Sequence, residues 1–147
     1  MRKLIIILSL FICLSANAQR WKVPVLYGTS IVLAGIGDGL YDNGNKGLDH
    51  VFNSASICVM FVTPFVVDYN KKNWWAYGLS YAFIRFALFD ASYNTTRGLP
   101  YDYIGNTDYL DRLWHKMSIQ SLTFPKTMSL IVGVAIPFNI PKNEKNR

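Results

Sequence analysis

Four apolar runs of nearly equal length, each bounded by polar residues, constrain this chain more than any other feature. Residues 23–40, 51–67, 73–91 and 118–138 make runs of 18, 17, 19 and 21 positions. The first is interrupted only by Thr29, Ser30 and Asp38, and the second lies between Asp49-His50 and Asp68. The third is aromatic-rich and holds Arg85; the fourth contains Pro125-Lys126. A helix rises about 1.5 Å per residue, so each run is long enough to cross roughly 30 Å of hydrocarbon. The links at 41–50 and 69–72 are short, and the link at 92–117 is long and polar.

Ahead of these runs stands a leader. Arg2 and Lys3 precede an apolar stretch at 4–14, and Ala16 and Ala18 occupy the −3 and −1 positions of a signal-peptidase site. The stretch is short for a spanning helix, and Ile12 before Cys13 is too large for lipoprotein processing. The sequence therefore divides into a signal peptide at 1–18, a single helical membrane domain at 19–141 and a basic tail at 142–147. Cleavage leaves 129 residues with Cys58 as their one cysteine, so no internal disulfide can form. Flanked by Ile57 and Val59, Cys58 is expected to be a small buried hydrophobe.

With 51% hydrophobic and only 16% charged residues, the chain is not a disordered one. Its mean hydropathy is +0.16. The leader supplies more than that whole sum, so the mature part averages near zero and must alternate greasy and polar segments.

The fold expected is all-α: a small polytopic membrane bundle of about four transmembrane helices. Tyr69-Asn70-Lys71-Lys72 is a compact turn, and Trp74, Trp75 and Tyr77 suit an interfacial belt. Gly35 and Gly39 have the small-xxx-small spacing that lets helices approach closely, and Gly78 and Ala82 repeat it. The alternative is a small outer-membrane β-barrel, because large and small residues alternate from Trp75 to Phe83 and from Met128 to Phe138. Eight strands of about ten residues would be needed, and only three or four such patterns can be found.

Threading four helices in order puts the mature termini and the 69–72 turn at one end. That end carries Arg20, Lys22, Lys71, Lys72, Lys142, Lys145 and Arg147 against Asp68 and Glu144. The other end carries Lys46, Arg85, Arg97, Arg112 and Lys116 against seven aspartates: Asp38, Asp42, Asp49, Asp90, Asp102, Asp108 and Asp111. An excess of Lys and Arg should face the cytoplasm, whereas a cleaved leader delivers the mature N-terminus outside. Cleavage, four crossings and obedience to the charge bias are therefore mutually inconsistent, and the bias is the weakest of the three. The basic end also suits anionic lipid headgroups.

The residues that could carry chemistry gather at the acidic end: Asp38, Asp42, Asp49, His50, Arg85, Asp90, Asn94, Asp111 and His115. Asp38 and Asp42 share a helix face, and with Asp49-His50 they could hold a cation or run acid–base chemistry. The plainer reading is a set of solvated helix ends, with Asp49 as an N-cap. Arg85 sits midway along an apolar run, where its insertion costs about 2.5 kcal/mol or more without a carboxylate, carbonyl or water. That predicts either a buried polar site or an ion pair, or snorkelling toward an interface. Residues 90–105, with Tyr93, Arg97, Pro100 and Gly105, read as a loop rich in turn-formers. Asp108, Asp111, Arg112 and His115 are spaced for one face of a short interfacial helix, on which Asp111 could orient His115. Asn94-Thr95-Thr96 matches the N-glycosylation acceptor, a pattern of low specificity.

No phosphate loop, nucleophile elbow or zinc spacing occurs, and the basic residues form no continuous stripe. No cofactor, no metal and no nucleic acid are expected. The partners expected are the lipid bilayer and a second copy or another membrane protein. The favoured function is a non-enzymatic exported membrane module of a bacterial envelope, in the inner membrane. A membrane-embedded hydrolase or transferase using Asp38, Asp42, His50, Asp90 and His115 is the enzymatic alternative.

Overall fold

A computed structural model describes residues 18–67, 69–105, 109–117 and 121–141. Its elements are α1 (Ala18–Asp42), α2 (Lys46–Val66), a 3-10 turn (Lys71–Asn73), α3 (Trp74–Thr96), α4 (Tyr109–Lys116) and α5 (Thr123–Asn139). Among the described residues there is no strand. The leader, Ala18 apart, and the tail at 142–147 lie outside the described residues.

The four long helices run up, down, up, down. Helix α2 returns along α1, so that Ser30 meets Ser56 and Gly37 faces Asn53. Helix α3 lies parallel to α1, with the rings of Tyr27 and Tyr81 5.4 Å apart near its start and Gly39 against Thr96 at its end. Helix α5 comes back along the other side of α3. The Ser80 hydroxyl donates to the Gly133 carbonyl at 2.6 Å and the Ser129 hydroxyl to the Phe83 carbonyl at 2.9 Å. The start of α1 touches the end of α5, where Arg20 donates to the Phe138 carbonyl at 2.5 Å and Trp21 packs edge-on against the Phe138 ring.

Helices α1 and α3 bury an apolar core of Val23, Tyr27, Ile31 and Ile84, whereas on α2 and α5 the buried faces are the reverse of a water-soluble bundle's. On α2 the buried positions are Asp49, Ser56 and Thr63, a seven-residue stripe of polar side chains. Ile57, Phe61 and Phe65 on the same helix point outward, at 68%, 72% and 79% exposure. Helix α5 buries Lys126, Ser129, Gly133 and Pro137 while exposing Phe124, Met128, Ile131 and Val132. Helices that must associate without a hydrophobic driving force do so through small residues and hydroxyls, which permit close backbone approach and interhelical hydrogen bonds. Gly39 shows the first device: a Cβ there would stand 2.8 Å from Thr96 Cβ and 2.9 Å from the Tyr93 carbonyl oxygen. A Cβ on Gly133 would meet Ile84 Cγ1 at 2.8 Å.

Two helices are long and apolar enough to cross a membrane, one at Arg20–Asp42 and the other at Lys46–Val66. Helix α5 has 17 residues, about 25 Å of axial rise. Helix α3 has 23, but Ser, Asn, Thr and the charges of Arg85 and Asp90 dilute its hydropathy.

Several expectations are corrected. The alternating stretches at 75–83 and 128–138 are helical, which leaves the barrel alternative without support: of the small residues between Trp75 and Phe83, Ala76 and Ser80 are buried while Gly78 and Ala82 are exposed, so the alternation marks no single face. Residues 90–96 are the last turns of α3 rather than loop. Pro125 does not divide α5; it stands in the first turn, where a missing N–H leaves no intrahelical bond unmade. The residue capping α2 is Asn45, without a side-chain cap bond, and Asp49 lies one turn inside. Cys58 is exposed rather than buried, on the same outward side of α2 as Ile57 and Phe61. Gly35 and Gly39 are used up within the chain, against α3.

Candidate functional site

The bundle's topology brings the C-terminal ends of α1 and α3 together with the N-terminal ends of α2 and α5. Six of the nine sequence-derived polar candidates, Asp38, Asp42, Asp49, His50, Asp90 and Asn94, lie on those helix ends, and the structure sorts them into separate local groups.

At the α1–α3 junction the Tyr93 hydroxyl donates to Asp42 Oδ2, and Arg97 Nη1 donates to the Tyr93 hydroxyl at 2.9 Å. The same Arg97 nitrogen lies 3.8 Å from Asp42 Oδ2, so one tyrosine sits between a carboxylate and a guanidinium. Asn43 donates to the Thr96 carbonyl at 2.9 Å and ties the two helix ends again. Asp38, exposed one turn earlier on α1, accepts from Asn53 of α2 at 3.2 Å.

Asp49 is the most deeply buried carboxylate among the described residues, its side chain 3% exposed. His50 Nδ1 lies 3.9 Å from its Oδ2, beyond hydrogen-bonding distance, and the imidazole itself is open to the outside. Asp49 Oδ1 has no hydrogen-bonding partner among the described residues.

The third group joins α3 to α5. Lys126 Nζ, 5% exposed as a residue, stands 3.1 Å from Asp90 Oδ2. The contact is close, but the ammonium is not aligned for a hydrogen bond, so the attraction is an ion pair's. Asp102 follows just beyond the helix ends and accepts from Ser121 Oγ at 2.8 Å and from Thr123 Oγ1 at 3.3 Å. The Ser121 hydrogen bond, aided by Thr123 and the Lys126 charge, holds the Asp102 carboxyl below its ordinary value. Asn94, buried, donates to the Tyr103 carbonyl at 3.0 Å and pins the chain that leaves α3.

Of the three readings left open for Arg85, neither the buried polar site nor the ion pair is what the structure shows. Arg85 is exposed, on the outer side of α3, and its guanidinium lies 4.2 Å over the Phe89 ring. None of Asp38, Asp42, Asp90 or Asn94 receives it. The i, i+4 spacing to Phe89 supplies a local cation–π contact instead. Helix α4 forms as the spacing of Asp111 and Arg112 predicted. The Asp111 carboxylate lies against Gly105, 2.6 Å from where a Cβ on that glycine would stand. The side chain of His115 lies outside the described residues.

The site's most telling residue, Lys126, was not among the sequence candidates. The signal that singled out Arg85, an ionisable side chain inside an apolar run, applies equally to Lys126. Tyr93 and Arg97 were missed because 90–97 read as loop, where a four-residue spacing carries no contact.

Most of these groups bridge one helix end to another. Nucleophilic or general-base catalysis needs a base within hydrogen-bond reach of a proton it can take and a second group orienting it. Here Asp38, Asp42, Asp90 and Asp102 each face a local partner, the buried Asp49 does not among the described residues, and neighbouring groups tie different pairs of helices. Among the described residues no three His, Cys, Asp or Glu side chains are placed to hold a metal ion. A scan against protein-family models and searches of curated protein sequences and of solved structures found no match to this chain.

Proposed function

We propose that the protein is a small exported multi-spanning membrane protein, a non-enzymatic module whose polar residues join helices rather than transform a substrate. The observation that carries this reading is the reversed burial. Polar and small side chains fill the helix contacts of α2 and α5, while Phe61, Phe65, Ile57 and Phe124 face outward. In water such a surface would aggregate; in lipid its apolar side chains cost nothing, and Arg85, exposed midway along α3, is the costly exception. α1 and α2 supply the two strongest spans, and α3 and α5 complete a four-span bundle by packing against them. A helical rather than a barrel architecture favours the inner membrane of a bacterial envelope. The leader at 1–18 provides export.

Two measurements test this. Alkaline extraction of cell membranes should leave the protein in the pellet; release into the supernatant contradicts membrane integration. His50→Ala changes an exposed imidazole that makes no hydrogen bond to Asp49, so the fold should tolerate it. That variant should replace the natural protein in a cell lacking it without loss of phenotype. Loss of phenotype at unchanged protein level would support the hydrolase or transferase instead.

A further inference from the structure

We propose that the basic end of the bundle holds a phospholipid with an anionic headgroup, its phosphate at Lys71 and Lys72 and an acyl chain in the groove beside Trp75. This rests on the membrane reading above and adds to it the lipid class and the site.

The turn that presents the lysines is built. Asn70 Oδ1 accepts from the Lys72 backbone N–H at 3.1 Å, and Asn70 Nδ2 donates to the Pro141 carbonyl at 3.1 Å. Tyr69 packs edge-on against Tyr77 with ring centroids 4.5 Å apart, and its hydroxyl lies 2.8 Å from that of Tyr27. The backbone of 69–73 is thus fixed from three helices while both lysine side chains are exposed. Trp74 and Trp75 follow at 74% and 56% exposure, where indoles suit the headgroup level.

The charge is predominantly basic, seven Lys and Arg against Asp68 and Glu144 in the sequence. Segments 18–24, 69–75 and 137–141 meet at this end and contribute Arg20, Lys22, Lys71 and Lys72, with no acidic residue among them. Arg20 is engaged by the Phe138 carbonyl, which leaves Lys22 and the more exposed Lys71 and Lys72 as the available charge. A groove of about 470 Å3 runs between α3 and α5 from this point, walled by Trp75, Leu79, Val132 and Ile136 with the amides of Asn73 and Asn139. Asn73, which lines the groove, directly follows Lys72 in the chain, so the backbone of the cationic pair adjoins the groove's head. Basic side chains within reach of a phosphate and an apolar trough leading away match an anionic amphiphile, since neither half alone accounts for both features.

The test uses the full chain, purified in neutral detergent, with phosphatidylglycerol and phosphatidylcholine of identical acyl chains as probes. Lipid retention is read by native mass spectrometry and the unfolding midpoint by a thermal scan. The glycerol lipid should be retained preferentially and should raise the midpoint more than the choline lipid does. Lys71→Gln with Lys72→Gln should weaken the glycerol lipid roughly thirtyfold and abolish the preference. Ala135→Phe, which fills the groove from an exposed wall position, should reduce retention of both lipids. Soluble glycerol phosphate should not compete at equal concentration. Equal retention of the two lipids, an unchanged double variant, or full competition by glycerol phosphate would each overturn the site. Those outcomes in a membrane-integrated protein leave the membrane reading standing, whereas a soluble monomer without detergent overturns that reading itself.

Discussion

Ser30 and Ser56 meet hydroxyl to hydroxyl at 3.0 Å between α1 and α2, and the Ser30 hydroxyl also lies 3.1 Å from the Ser56 carbonyl oxygen. Both residues are buried where a water-soluble bundle would place Leu or Ile. Ser30→Ala and Ser56→Ala should each destabilise the protein in micelles, and a double-mutant cycle should give a coupling of about 0.6 kcal/mol, at most about 1.7. A cycle showing no coupling would remove the hydroxyl pair from the account of α1–α2 association.

The Lys126–Asp90 pair predicts an asymmetry. Asp90→Asn leaves a buried ammonium without its counter-charge, whereas Lys126→Met leaves a half-exposed carboxylate that solvent can reach. The first should cost about 1–3 kcal/mol, reduced from the fully buried case by the exposure of Asp90, and the second less. Combining the two should recover part of the loss from Asp90→Asn. Chemical unfolding in a fixed detergent gives all three numbers, and equal losses from the two single variants would contradict the prediction.

Three glycines separate internal from external packing. Gly39→Ala and Gly133→Ala each force a Cβ within 3 Å of a neighbouring helix and should destabilise by about 1–3 kcal/mol. Gly78 has open space where a Cβ would go, so Gly78→Ala should be neutral or stabilising through helix propensity. Thermal midpoints in micelles distinguish the two outcomes, and a large loss at Gly78 would mean that another chain covers that face.

Acid should loosen the segment beyond α3. The Asp102 carboxyl is held below its ordinary value of 3.8, so its contribution to stability is fully present at neutral pH and above that ordinary value. It drains away as pH falls through the lowered folded value. Ser121→Ala removes the main hydrogen bond, so the variant's stability should fall less steeply than the natural protein's below about pH 4. Parallel slopes in acid unfolding curves would show that the Ser121–Asp102 bond carries no such linkage.

Sequence alone places the four helices well because run length is a strong signal: the runs at 23–40, 51–67 and 73–91 lie on α1, α2 and α3, and most of 118–138 on α5. Connectivity then assigns Asp42, Asp49, Asp90 and Asn94 to one end. The inward face was not legible. In α2 both faces read as apolar enough, and the helix buries its few polar residues, so a rule that hydrophobic faces turn inward selects the wrong side. Cys58 was misplaced for that reason. Arg85 and Lys126 carry the same signal in sequence, and only the packing of α5 on α3 separates them. Arg85 falls outside that contact, and Lys126 falls within it.

The most direct test of the reversed packing is a spin label at Cys58, the one cysteine of the mature chain, in protein reconstituted into bilayers. Cys58 is exposed on α2 beside Ile57, so the account predicts a label readily reached by dissolved oxygen and shielded from a water-soluble nickel chelate. A label reached freely by the chelate would place this face in water and contradict the account.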